Sequence, residues 1–286
     1  MSTNDILDQA FHYIHENFNR FVNEFKDLLR VPSIVGTHGV VECAKMVEEF
    51  MTSVGINVEV SSIEHKAPIV FGRLEPGSDG KTLLLYCHYD VYPVSNVHKW
   101  INDPFKAETV NGKIIARGTS DSKGNLMALL KAVESLSFAL KGRPCCLKFV
   151  IGGDEEAGSP SLPQFIEENQ GKLSANAAII FDATLDEDNT PAVNLGREKP
   201  TSTEDDIVQA IIKASKTVYG TVPKIYRSVM TYPMYLISKK LGIKSLSTGC
   251  GSFNGNTHSI NECITIDEFR NGIKYATSAI YFYTLE

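Results

Sequence analysis

The chain has 286 residues, of which 43% are hydrophobic and 22% charged, with a net charge of −6. That is enough apolar material for one large core or two modest domains. The mildly acidic balance argues against a nucleic-acid footprint, which needs clustered Lys and Arg, and no apolar run approaches the ~20 residues needed to cross a bilayer.

Ile6, Ala10, Ile14, Phe18, Phe21, Phe25 and Leu28 recur at helical spacing and predict a long amphipathic first helix ending before Pro32. A second helix is expected over roughly 41–53, stopped by Gly55. Strand-like runs follow at 57–63, 69–73 and 82–86, the last leading into Tyr86-Cys87-His88-Tyr89-Asp90-Val91-Tyr92-Pro93. Val110-Asn111-Gly112-Lys113 is a hairpin signal. The loop 118–124 then opens a helix carrying Leu126, Leu129, Leu130, Val133, Leu136 and Leu140. A strand at 147–151 runs into Gly152-Gly153-Asp154-Glu155-Glu156, followed by a helix near 162–169 and a strand at 177–181 ending at Asp182.

After Asp182 the texture changes. Residues 185–191 are polar, 193–195 form a short strand and 196–203 a loop. Ile207, Ile211, Ala214 and Val218 mark a helix face, which Ser202 or Thr203 can cap. Another helix is expected over 234–241 and a strand at 245–247. Thr265-Ile266-Asp267-Glu268 reads as a capping box opening a last helix that buries Phe269, Ile273, Ala276 and Ile280. Alternating strands and helices, with polar residues at strand ends, predict an α/β fold. The expected form is a three-layer sandwich with a mixed, mostly parallel central sheet and helices on both faces.

The six cysteines lack C-x-x-C spacing, and Cys145 and Cys146 are adjacent, so reduced, mostly buried thiols in a cytoplasmic protein are expected. The N-terminal residues 1–5 lack the pattern of a secretory signal.

Five residues at strand ends or in loops carry candidate chemistry: His88, Asp121, Glu156, Asp182 and His258. Singly, each is a common strand-end residue, and an isolated Glu-Glu pair is more often a solvated loop. Together, two imidazoles and three carboxylates suit a pair of borderline divalent ions with one carboxylate shared. Strand alternation lets His88 and Asp90 project together while Cys87 points away, and a carboxylate beside an imidazole orients a metal-ligating ring. Adjacent glutamates can divide labour, one on metal and one moving a proton. His12, His15, His38, His65 and His98 carry no motif. Arg117 and Lys123 are read as partners of nearby carboxylates. Gly249-Cys250-Gly251-Ser252 reads as a flexible surface loop on composition alone.

The ordered set of 88–93, Trp100 with Asp103-Pro104-Phe105, Gly112 through Gly124, 155–159 and Thr257-His258-Ser259-Ile260-Asn261-Glu262 resembles a two-metal amidohydrolase family. Its members include acetylornithine deacetylase, succinyl-diaminopimelate desuccinylase, glutamate carboxypeptidase and carnosinase. The resemblance runs over nearly the whole chain. It implies that His88 and Asp182 bind one metal, Glu156 and His258 the other, and Asp121 bridges them. By the same resemblance Asp90 orients His88, Glu155 is the general base, and the Asp121–Ser122 peptide is cis. The implied cofactors are two divalent ions, zinc first, with cobalt or manganese able to use the same ligands. The implied substrate is a small peptide or N-acyl amino acid, and no nucleic acid or membrane partner is expected. The 88–93 wording and the Arg227–Pro233 stretch lean towards a peptidase. The glycine-rich loop around Cys250 would line the substrate site without binding metal.

Family members usually carry a lid domain that also dimerises, inserted after a segment like 193–197. It would supply a His for oxyanion stabilisation and groups that hold a substrate carboxylate. Only a few residues stand in its place, near 198–203, so a single catalytic domain in two segments, 1–197 and 204–286, is expected, as a monomer. Either the chain is a natural single-domain relative or the insert has been removed, and the abrupt join favours removal. Loss of oxyanion stabilisation costs ~100- to 1000-fold in rate. The alternatives are a single-domain two-zinc aminopeptidase, which shares the catalytic fold without a lid, and a non-catalytic metal-binding remnant.

Overall fold

A computed structural model describes residues 3–63, 66–75, 80–142, 146–227 and 232–285. Cys145, His65 and residues 228–231 of the 227–233 stretch lie outside them. The chain opens with helix α1 (Thr3–Leu29) and α2 (Gly39–Ser53), then strands β1 (Asn57–Ser61), β2 (Ile69–Leu74) and β3 (Thr82–His88). The hairpin β4 (Glu108–Val110) and β5 (Lys113–Ile115) precedes α3 (Lys123–Leu140) and β6 (Cys146–Gly152). Next come α4 (Leu162–Glu168), α5 (Gln170–Leu173), β7 (Ala177–Phe181) and β8 (Ala192–Leu195). The chain ends with α6 (Asp206–Tyr219), β9 (Lys224–Tyr226), α7 (Tyr232–Leu241), β10 (Lys244–Thr248), β11 (Cys263–Thr265) and α8 (Ile266–Thr284).

Eight strands form one sheet in the order β1-β2-β6-β3-β7-β10-β8-β9, whose centre, β6, β3, β7 and β10, is parallel. A small antiparallel sheet, β11-β5-β4, stands apart from it. The central strands are apolar on both faces because both are covered. Leu83, Leu85 and Cys87 of β3 enter one core with Leu147, Phe149 and Ile151 of β6. Leu84 and Tyr86 enter the other with Val150 and Ile180. The first core is closed by α1, α2, α3, α6 and α8, where Phe25 stacks on Phe269 at 4.5 Å; the second is closed by α4 and α7. This is the expected three-layer arrangement.

The α8 capping box forms, with Glu268 N donating to Thr265 Oγ1 at 3.0 Å and Thr265 N to Glu268 Oε2 at 2.8 Å. The cap expected for α6 does not. Asp205, not Ser202 or Thr203, holds the N-cap position, and its side chain makes no capping bond. Its carboxylate accepts instead from Ser202 N at 2.7 Å and pairs with Lys244, a tertiary contact that outweighs the local one. The three-residue strands β9 and β11 and the one-turn α5 are too short to leave a periodic signal. β8 and α6 are joined by residues 196–205 alone.

Candidate metal centre

Three adjacent parallel strands, β6, β3 and β7, end at one rim of the sheet, where α/β folds build their sites. β3 delivers His88, β7 ends one residue before Asp182, and β6 ends before the 3₁₀ turn Glu155–Ala157. The loop ahead of α3 brings Asp121, and the segment before β11 brings His258. All five predicted side chains come together. His88 Nε2 lies 3.0 Å from Asp121 Oδ1 and 3.2 Å from Asp182 Oδ1. His258 Nε2 lies 3.0 Å from Asp121 Oδ2 and 2.9 Å from Glu156 Oε2. Two groups of three donors result, His88–Asp121–Asp182 and Asp121–Glu156–His258, each with its donor atoms within 4.8 Å of one another and Asp121 common to both. The Asp121–Ser122 peptide is cis, as the resemblance implied.

Asp90 does more than touch His88. Its Oδ1 lies 3.2 Å from His88 Nδ1 and accepts from Glu155 N at 3.1 Å, while Oδ2 accepts from Glu156 N at 3.0 Å. One buried carboxylate therefore sets both the ring of β3 and the turn bearing the two glutamates. With Nδ1–H directed at this carboxylate and at the Asp90 carbonyl 3.1 Å away, the Nε2 lone pair faces Asp121 and Asp182.

Two buried hubs hold the Asp121 loop. Glu262 accepts from Arg117, Gly118, Ser120 and Asp121. Asn125 donates to Ser120 O at 3.3 Å and Ser122 Oγ at 3.2 Å, and accepts from Cys250 N at 2.8 Å. A Cβ on Gly124 would stand 2.2 Å from Thr119 O, so the α3 entry requires glycine. The sequence expectation for Arg117 matches its pairing with Glu262, but that for Lys123 does not. The Lys123 ammonium donates to Leu28 O at 2.9 Å and Val31 O at 2.6 Å, closing the C-terminal end of α1. Cys250 is fully buried against Asn125 and stands outside both donor groups; Gly249 to Ser252 are all buried, which overturns the surface-loop reading. Burial pushes the Cys250 thiol well up and that of Cys87 to about 12, so neither offers a thiolate.

The electrostatics suit cations. Burial opposes protonation of His88, but Asp182, Asp121 and Asp90 outweigh it and lift the ring well above the ordinary histidine value. Hydrogen bonds to Asp121 and Glu156 bring His258 up to about 10. Burial favours the neutral Asp121 carboxyl, yet contacts to His258 and His88 hold it well below the usual range. Glu155 is pushed up to about 7, first by burial and then by Asp182, Asp121 and Glu156, against the pull of His88. Nitrogen and oxygen donors this close repel unless a proton or cation lies between them. The nitrogen and oxygen donors of the two groups are of the kind that hold a metal ion. His258 is 42% exposed, at φ +60, and its ring stacks on Tyr92 at 4.3 Å, leaving this side of the centre open. Sequence reasoning missed Glu262, Asn125 and Tyr92. For Glu262 the signal was an acid at the end of the 257–262 motif.

The family described as Peptidase family M20/M25/M40 matches residues 84–281. Cysteinylglycine-S-conjugate dipeptidase of Corynebacterium striatum is 32% identical over 173 residues, 58% of this chain and 37% of that protein. Beta-Ala-His dipeptidase of Mus musculus is 25% identical over 209 residues, 67% of this chain and 42% of that protein. The chain thus spans less than half the length of these curated relatives. A structure of an M20 family metallo-carboxypeptidase, Sso-CP2 of Sulfolobus solfataricus, superimposes with TM-score 0.85 at 22% identity, over 92% of this chain and 99% of that one.

Proposed function

Because the chain belongs to peptidase family M20/M25/M40, we propose that it is a catalytic domain for metal-dependent hydrolysis of amide bonds in small peptides or N-acyl amino acids. His88, Asp182 and Asp121 hold one divalent cation, and Glu156, His258 and Asp121 hold the other. Zinc is the first choice, with cobalt or manganese compatible with the same donors. When bound, such a pair supplies a water nucleophile at neutral pH and polarises the scissile carbonyl. Glu155 takes the proton from the attacking water and delivers it to the departing amine as the C–N bond breaks. Asp90 keeps the His88 proton on Nδ1 and holds the Glu155 turn in register with it.

The observation that carries this reading is the division of the Asp121 carboxylate, one oxygen against each imidazole Nε2. Dipeptides are the preferred substrates, in keeping with the names of the two relatives. Residues 1–197 and 204–286 form the one domain, monomeric, without a lid near 198–203, so turnover is weaker than in a lidded protein. The buried free thiols of Cys43, Cys87, Cys146, Cys250 and Cys263 suit a reducing, cytoplasmic location.

Metal analysis with a panel of dipeptides and N-acyl amino acids tests the proposal, on this chain and on one with a lid inserted after Arg197. Two bound cations and dipeptide turnover that rises with the lid are expected. A chain without stoichiometric metal, or with none of these activities in either form, refutes it. Full activity of the lidless chain on free-amino-terminal substrates would favour the aminopeptidase alternative.

A further inference from the structure

Glu262 is completely buried, and among the described residues its carboxylate accepts hydrogen bonds from one short segment, 117–121. Oε2 accepts from Arg117 Nη1 at 2.6 Å and Gly118 N at 3.1 Å. Oε1 accepts from Ser120 N at 2.9 Å and Asp121 N at 3.1 Å. The backbone of Glu262 is pinned to the same region, since Ala116 N donates to its carbonyl at 3.0 Å. Glu262 also ends the segment that begins with His258, just before β11 pairs with β5. A single side chain thus fixes the spacing between the segment that carries Asp121 and the one that carries His258.

Stability does not account for this arrangement. A buried ion pair pays a large desolvation cost, and well-packed apolar residues of similar volume often replace such pairs without loss. What an apolar pair cannot do is accept three backbone N–H groups within four residues, those of Gly118, Ser120 and Asp121, and so fix the course of that peptide. That peptide is the one bearing Asp121, whose two oxygens must face opposite ways to meet His88 and His258.

We propose that Glu262, with Arg117 as its counter-charge, is a positioning residue that aims Asp121 at both imidazoles and so makes the centre a two-cation rather than a one-cation site. The inference rests on the ligand set proposed above. Outer partners of metal ligands typically change affinity 10- to 100-fold when altered, and Glu262 acts on the ligand shared by both ions. Glu262→Gln keeps size but replaces one acceptor by a donor. In either amide orientation, an NH₂ group then confronts Arg117 and Gly118, or Ser120 and Asp121.

The test is titration of the metal-free protein with cobalt(II), followed by its visible absorption, with thermal unfolding of the metal-free forms measured in parallel. The unaltered chain should take up two equivalents. Glu262→Gln should lose at least tenfold in affinity for one or both, with a changed absorption spectrum. Glu262→Asp, which keeps the charge but withdraws it by one methylene, should fall between the two. Lowered unfolding temperatures with unchanged cobalt affinity, stoichiometry and spectrum would assign Glu262 a role in folding alone and overturn the proposal. Fewer than two equivalents on the unaltered chain would instead sink the ligand set itself. If neither variant is soluble, amide exchange in the unaltered chain decides. Slow exchange at Ser120 and Asp121 before cobalt is added supports a preset loop, and protection that arises only on adding cobalt refutes it.

Discussion

Asp90→Asn is the sharpest single perturbation of the proposed centre, because it conserves volume while removing half of what the carboxylate does. In the native chain Oδ1 serves His88 Nδ1 and Glu155 N, and Oδ2 serves Glu156 N. With the amide oxygen at the Oδ1 position, its NH₂ opposes the Glu156 amide and leaves that donor unsatisfied. In the flipped orientation the NH₂ opposes both Glu155 N and the His88 Nδ1–H, leaving that N–H to the residue-90 carbonyl 3.1 Å away and disturbing the aim of the ring at Asp121 and Asp182. Leaving a buried donor unpaired costs about 1–3 kcal/mol, so the metal-free unfolding temperature should fall by roughly 2–4 °C per kcal/mol lost. Metal affinity should fall ~10- to 100-fold, equivalent to about 1.4–2.7 kcal/mol. The assay is zinc titration of the metal-free protein, with unfolding monitored by circular dichroism. Affinity preserved within twofold in a folded variant would show that the orientation of His88 does not depend on Asp90, and the reasoning would fail.

Three further outcomes are expected. Glu155→Ala should cut turnover by about 100- to 10,000-fold while bound metal stays nearly intact; metal lost together with activity would move Glu155 into the ligand set. Phe269→Ala, which empties the stack on Phe25 at the α1–α8 contact, should destabilise by about 3–5 kcal/mol in denaturant unfolding. Glu134 is held below its ordinary value of 4.5, because contacts with Arg20, Lys131 and Tyr13 outweigh the burial that would raise it. A depressed folded value means its contribution is full above pH 4.5 and disappears as pH falls through the lower folded value. Glu134→Gln should therefore unfold more easily than the parent chain at pH 7, with the gap closing towards pH 3; a constant gap in thermal scans across that range contradicts the sign.

The layered fold was legible because its signals are local and periodic. The α1 stripe from Ile6 to Leu28, the apolar runs before His88, Glu155 and Asp182, and the Thr265–Glu268 box each need only neighbours in sequence. His88, Glu156 and Asp182 were legible for a related reason, since they lie at or just after the ends of parallel strands, which collect at one rim whatever the order of the connections; Asp121 and His258 stand in loops and were legible through the motif resemblance. The Glu262 network was not legible. Its partners lie 141–145 residues upstream, and three of the four are backbone amides, which have no residue identity to read. Lys123 misled in the same way: its charge suggested a carboxylate, whereas its partners are the carbonyls of Leu28 and Val31, at and just beyond the end of α1. The α6 cap failed because Lys244, distant in sequence, claims the Asp205 carboxylate.

The centre gathers Asp90, Asp121, Glu156, Asp182 and Glu262 in one neighbourhood, a concentration of negative charge that opposes folding. The chain offsets it unevenly. Asp90 receives two backbone N–H groups, and Glu262 receives three together with a guanidinium. Asp121 and Glu156 lean on imidazoles, and the buried Lys123 gives its ammonium to α1 rather than to them. The acids that aim the site are thus neutralised by the protein, while those proposed to bind are left with partners that a cation can displace. This division would give metal binding its driving force. Cations bound as proposed would relieve the repulsion that folding must otherwise carry, and by the same linkage stability should rise with metal concentration.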